Sequence, residues 1–142
     1  MLKKALSEDP DMEEAYIKIG SLYTLQGRSK EALEYYLKGT RLKEKHPDIF
    51  FGAGVSYFDL GNFEKSAEYL ERAVNMYKMA NKQEKLNRAA ILLYYSYDSA
   101  GDDAKMEKFL KSAIERDIHK AVFSQKLSEL YHSKGMNKAA IR

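Results

Sequence analysis

Tyr57-Phe58-Asp59-Leu60-Gly61 (YFDLG) is one of four copies of a single frame, a tyrosine with a glycine four residues later. The others are YTLQG (Tyr23 to Gly27), YDSAG (Tyr97 to Gly101) and YHSKG (Tyr131 to Gly135). Successive tyrosines stand 34, 40 and 34 residues apart. A fixed Tyr-x-x-x-Gly at a near-constant period is hard to produce by chance, so internal repetition organises the chain.

Between the repeated glycines the apolar spacing is helical. Tyr16, Ile19, Gly20 and Tyr23 fall at offsets of three, four and seven, one face of a helix over 13–25. After Gly27, Ala32, Leu33, Tyr36 and Leu37 alternate with Lys30, Glu31, Glu34 and Lys38, which predicts a second amphipathic helix. The same two-helix unit recurs over 47–60 with 63–79 and over 84–100 with 104–116, and a last first-helix runs from about 121 to 134. Strand signals are absent. The boundary chemistry agrees. Each repeated glycine suits a left-handed residue after a helix end. Asn62 and Asp102 are natural N-caps, Asp11 with Glu14 and Asn81 with Glu84 have capping-box spacing, and Pro47 suits a first helical turn. The expected fold is all-α, a stack of antiparallel helix hairpins.

Composition sets the outer limits. The 142 residues are 44% hydrophobic and 32% charged, a globular balance, and the net charge of +3 is too mild to argue for nucleic acid or membrane. Cysteine is absent, which removes disulfides, thiolate metal sites and cysteine nucleophiles and is compatible with a reducing, cytoplasmic setting. The longest apolar runs, such as Ala89 to Tyr95, are too short to span a bilayer, and the acidic N-terminus lacks a signal-peptide core.

These features resemble the tetratricopeptide repeat (TPR), whose 34-residue signature is an aromatic, then x2-Leu-Gly-x2-Tyr, then Ala-x3-Phe, then Pro. With Gly20 at repeat position 8, a first repeat over 13–46 supplies Tyr16, Ile19, Gly20, Tyr23, Gly27, Ala32 and Tyr36 in the expected places. A second over 47–86 supplies Phe50, Ala53, Gly54, Tyr57, Gly61, Ser66, Leu70 and Ala73, with a second helix lengthened by about a turn. A third over 87–120 supplies Ala90, Leu93, Tyr97, Gly101, Leu110 and Ala113 but departs at Tyr94 and Met106, where small residues are usual. Residues 1–12 read as the second helix of a preceding repeat, with Leu2, Ala5 and Pro10 in register, and 121–142 as a truncated fourth repeat. The resemblance implies a single array, 1–142, folded as a right-handed superhelical α-solenoid. An array that begins and ends mid-repeat is expected to be a segment of a longer protein.

The resemblance also implies that first helices line a concave surface, with ligand contacts from repeat positions 2, 5, 6, 9, 12 and 13. On this chain the middle of that surface is apolar: Phe51, Val55, Phe58, Ile91, Leu92 and Tyr95, with Ile17 and Leu25 alongside. An apolar patch with a charged rim marks a partner site. Phe51, Phe58, Ile91 and Tyr95 are the expected anchors for an amphipathic or extended apolar segment, with Lys18 and Arg88 steering acidic groups. The alternative is that the lengthened helix before Asn81, or flanking repeats, cover these side chains. Family members that clamp the C-terminal carboxylate of Hsp70 and Hsp90 chaperones use Lys, Asn, Asn, Lys and Arg at positions that here hold Ile17, Ser21, Gly52, Arg88 and Leu92, so that clamp is absent.

Catalytic chemistry finds no foothold. His46, His119 and His132 have no partner at helical spacing for a metal or general-base pair and read as surface or capping residues. Glu13-Glu14 and Asp102-Asp103 sit where negative charge favours a helix N-terminus. Gly52 and Gly54 lie inside a helix and fit close packing, not a phosphate loop. Most of the eleven tyrosines occupy packing positions, so base stacking is disfavoured. The expected function is a non-catalytic protein-interaction scaffold with no cofactor or metal. Two alternatives stand beside it: self-assembly through open ends bearing Leu2, Leu6, Leu127 and Leu130, and a scaffold region of a larger enzyme.

Overall fold

The computed structural model describes residues 13–42 and 45–135. Among them are seven α-helices and no strand: α1 (Glu13–Leu25), α2 (Ser29–Gly39), α3 (Pro47–Asp59), α4 (Phe63–Met79), α5 (Gln83–Ala100), α6 (Asp103–Glu115) and α7 (Lys120–Ser133). The expected helix at 1–12, the Asp11 half of the capping box expected at the start of α1, and everything after Gly135 lie outside the described residues. The chain divides into two compact units. The first runs to Ser96 and holds α1 to α4 with most of α5; the second, from Tyr97, holds the last turn of α5 with α6 and α7.

In the first unit α1 packs on α2 and α3, and α3 packs on α4. Its core is built from the signature positions. Ala32, Phe50, Ala53, Leu70 and Ala73 are fully enclosed, and Tyr16, Ile19 and Tyr36 nearly so. Small residues set the helix approach. A Cβ on Gly20 would stand 2.6 Å from the Tyr36 ring, and one on Gly54 would stand 2.6 Å from Leu70. The Ser66 hydroxyl, also buried, donates to the Gly54 carbonyl at 2.7 Å and lies 3.0 Å from the Ser96 hydroxyl, tying α3, α4 and α5 together. In the second unit α6 packs on α7. Its interior includes Tyr97, Met106, Leu110, Ala113, Ile118, Phe123 and Leu130, with Phe109 packed edge-on against Phe123 at 5.5 Å. The two bulky departures, Tyr94 and Met106, are both buried.

The repeated frame is a helix-ending device. Gly27, Gly61 and Gly101 take φ of 73°, 82° and 69°. The N–H of the following residue donates back to the tyrosine carbonyl of the frame: Arg28 to Tyr23 at 2.8 Å, Asn62 to Tyr57 at 2.9 Å, Asp102 to Tyr97 at 3.1 Å. This is the Schellman pattern, which satisfies a carbonyl the helix leaves open. Asn62 and Asp102 then cap the next helix, accepting from the N–H of Lys65 and Lys105 at 3.2 and 3.1 Å. At the start of α3, Pro47 lies in the first turn and the cap is His46, whose Nδ1 accepts from the Asp48 N–H at 3.1 Å.

One expectation at these boundaries is corrected. Asn81 does not open α5 as the first half of a capping box. It has φ of 57°, and the N–H of Lys82 donates to the Tyr77 carbonyl at 3.0 Å. Asn81 therefore closes α4 just as the glycines close the first helices, because asparagine tolerates the left-handed region better than other residues bearing a Cβ. Tyr77 to Asn81 is a fifth copy of the frame with asparagine in the glycine place.

Candidate functional site

A pocket of about 400 Å³ opens in the first unit, and helical spacing explains its walls. On α1, Ile17, Ser21, Thr24 and Leu25 lie at offsets of four, seven and eight and share a face. On α3, Asp48, Phe51, Gly52 and Val55 lie at offsets of three, four and seven and do the same. The first two turns of α5 add Lys85 and Arg88, while Tyr36 from α2 and Tyr77 from α4 complete the lining.

Tyr36 carries both packing and surface. Its ring is wedged between two glycines: a Cβ would stand 2.6 Å away on Gly20, and one on Gly52 would overlap the ring outright. The Tyr36 hydroxyl is 3.2 Å from the Ser21 hydroxyl, which places a polar pair in the lining between α1 and α2. Tyr77, almost fully enclosed, packs edge-on against Phe51 with ring centroids 6.4 Å apart.

One edge of the pocket is polar and tightly paired. The Tyr77 hydroxyl donates to Asp48 Oδ1 at 2.5 Å, and Lys85 Nζ reaches both carboxylate oxygens at 3.2 and 3.0 Å. His46 Nδ1 is 3.7 Å from Asp48 Oδ2. Burial pushes the Asp48 carboxyl up, but the hydrogen bonds from Tyr77 and Lys85, with the lysine charge, outweigh it and hold the group below its ordinary value. Burial first, then the hydrogen bond to Asp48, drives the Tyr77 phenol well above its ordinary value, so it remains a neutral donor. Arg88 stands close enough for its charge to act on Tyr77 and has no ion pair among the described residues.

The ten residues expected from the sequence to meet a partner fall into two groups. Ile17, Leu25, Phe51, Val55 and Arg88 line this pocket. Lys18, Phe58, Ile91, Leu92 and Tyr95 do not. Lys18 pairs with Glu14 at 3.2 Å on the outer surface of α1. Phe58 is half-buried and packs edge-on against Phe63 at 5.1 Å. Ile91 and Tyr95 are 39% and 47% exposed on α5, Tyr95 lying edge-on to Tyr94, and Leu92 is half-buried. Sequence reasoning had no place in the site for Tyr36, Tyr77 or Lys85. Tyr36 read as core, and Tyr77 and Lys85 fall in the stretch that lengthens the second period, where no repeat position assigns a role.

The tetratricopeptide repeat pattern matches residues 13–46 and again 47–78. The TPR repeat-containing protein MJ1428 of Methanocaldococcus jannaschii is 24% identical over 99 residues, which are 70% of this chain and 17% of that protein. The chain thus spans less than a fifth of that relative. The crystal structure of MamA superposes with a TM-score of 0.77 at 23% identity, covering 99% of this chain and 78% of MamA. That of YrrB, described as a TPR protein with an unusual peptide-binding site, gives 0.73 at 22% identity, covering 94% of this chain and 66% of YrrB. No helix among the described residues is long and apolar enough to cross a membrane. Two consecutive pattern matches, on helix hairpins closed by the same tyrosine–glycine frame, identify residues 13–78 as two tetratricopeptide repeats.

Proposed function

We propose that this chain is a non-catalytic interaction module that binds an apolar or amphipathic segment of a partner protein, with the pocket between α1, α3 and α5 as the seat of its anchoring side chain. Proteins of this family bind protein partners and are typically non-catalytic scaffolds. The observation that carries the reading is the pocket itself. Ile17, Phe51 and Val55 form an apolar hollow of about 400 Å³ beside a fixed charge network, and a concave, mostly apolar site with few polar groups is what a side chain of a peptide needs. Leu25, 84% exposed at the rim, and the exposed Ile91 and Tyr95 on α5 extend apolar surface for the rest of such a segment.

The test is a selection of random peptides displayed on phage against the full chain, followed by synthesis of the enriched sequences. Enriched peptides are expected to carry a large apolar residue, to protect α1 and α3 amides from hydrogen exchange, and to bind Val55→Glu at least about tenfold more weakly by fluorescence anisotropy. The variant's circular dichroism should stay helical. Undiminished binding to Val55→Glu by every enriched peptide would remove the pocket from the interaction.

A further inference from the structure

The charges at the pocket edge are unequally committed, and the inequality specifies more of the ligand than its apolar character. Asp48 is the one carboxylate in the lining among the described residues, and its oxygens already accept from the Tyr77 hydroxyl and twice from Lys85. A cationic ligand group would have to displace a lysine already seated there. Arg88, on the next turn of α5 and exposed, has no ion pair among the described residues. Lys85 and Arg88 against Asp48 leave the edge net positive. It also lies over the N-terminal turns of α3 and α5, whose peptide dipoles favour negative charge.

We infer that the pocket selects a partner segment in which the anchoring apolar residue is followed or preceded within a few positions by aspartate or glutamate, whose side-chain carboxylate pairs with Arg88. This inference rests on the interaction reading above and narrows it to an acidic, amphipathic partner. A side-chain carboxylate fits better than a chain terminus. A terminal carboxylate is attached to the residue that fills the hollow and would be drawn out of water, where it needs several donors. Among the described residues of the lining, Arg88 is the one guanidinium, and it is exposed, which suits a carboxylate that stays partly solvated on a flexible side chain. A guanidinium fork can accept that carboxylate in two parallel hydrogen bonds.

Peptides enriched by the same phage selection provide the probe. Aspartate or glutamate should be over-represented within a few residues of the apolar anchor. Replacing that acid by its amide, or introducing Arg88→Glu into the protein, should each weaken binding about fivefold to tenfold, chiefly through the association rate, and flatten its salt dependence. A peptide with lysine in place of the acid should regain affinity for Arg88→Glu. Arg88→Ala, expected to fall between wild type and Arg88→Glu, separates loss of attraction from repulsion. Peptides that lose binding to Val55→Glu but tolerate both the amide swap and Arg88→Glu would overturn the acidic requirement and leave the apolar site standing. Dependence on a free peptide C-terminus would overturn the choice of a side-chain carboxylate. A selection yielding no peptide sensitive to Val55→Glu would overturn both readings.

Discussion

The first hairpin, α1 with α2, and the second, α3 with α4, are built to one plan and part at two places. Each sets a large residue at repeat position 24 against a glycine at position 8 of its own first helix: Tyr36 against Gly20, Leu70 against Gly54. Each ends its first helix with the same left-handed glycine and the same bond back to tyrosine. The first departure is the identity of position 24. Leucine ends where the glycine begins, whereas the tyrosine ring reaches on to α3 and requires a second glycine, Gly52, there. The second is length. α2 has 11 residues and α4 has 17, and the additional turns carry Tyr77 to Asp48. Both departures put residues into the pocket, while the shared parts only hold the helices together. Within this repeat array, the departures from the common plan are where the candidate site lies.

The largest effect is expected from undoing the first departure. Gly52→Ala places a methyl group inside the Tyr36 ring, and that ring cannot retreat because Gly20 backs its other side. Overpacking of this kind costs about 1–3 kcal/mol, to be read as a lowered urea midpoint. The comparison with Leu70 supplies the control. With Tyr36→Leu, position 24 becomes that of the second hairpin, and Gly52→Ala should then cost a few tenths of a kcal/mol at most. Equal losses in both backgrounds would mean that Gly52 answers to something other than the tyrosine.

The second departure is probed by Tyr77→Phe, which removes one hydroxyl and leaves the ring on Phe51. The hydroxyl serves a carboxylate, but the Asp48 side chain is 28% exposed and keeps Lys85, so the loss should be about 1 kcal/mol at neutral pH. The pH dependence follows from the lowered Asp48 pKa. The unfolded chain binds the Asp48 proton near the ordinary value of about 3.9, and the folded chain only at lower pH. The stabilisation from keeping Asp48 ionised is therefore complete above the ordinary value and lost as the pH falls through the folded-state value. The difference between wild type and Tyr77→Phe, measured by urea unfolding, should hold constant from pH 7 to 5 and shrink below about pH 4. A gap that widens in acid would place the role of the hydroxyl elsewhere.

The helix order, the ends of each first helix and the enclosed positions were legible from the period and the frame, since each depends on local spacing and on residues with one physical use. Gly61, Asn62 and Pro47 behave as their chemistry dictates wherever they occur. The pocket was legible in part. Ile17, Leu25, Phe51, Val55 and Arg88 follow from the face that each first helix presents. Tyr36, Tyr77 and Lys85 did not, because each enters through a contact between helices that no spacing along one helix reveals. Tyr36 is also doubly employed. Sequence periodicity identifies it as core, and only the two glycines flanking its ring show that it forms pocket surface as well.

Asn81 provides the smallest effect and the finest discrimination, because its two readings rank substitutions differently. As an N-cap for α5, asparagine and serine are near-equal and glycine costs a few tenths of a kcal/mol. As the left-handed residue closing α4, glycine is best, asparagine is tolerated, and serine meets the Cβ penalty of about 1 kcal/mol. With φ of 57° and the Lys82-to-Tyr77 bond, the second ranking applies. Asn81→Gly should therefore match or exceed wild type by up to about 0.5 kcal/mol in urea unfolding, and Asn81→Ser should fall below it. Asn81→Gly would also make the fifth copy of the frame read like the other four. Its interest lies in position as well as energy: this turn fixes where α5 begins, at Gln83, two residues before Lys85 and five before Arg88. A frame written with asparagine escaped a reading keyed to glycine because the backbone constraint is a dihedral angle, which more than one residue type can meet.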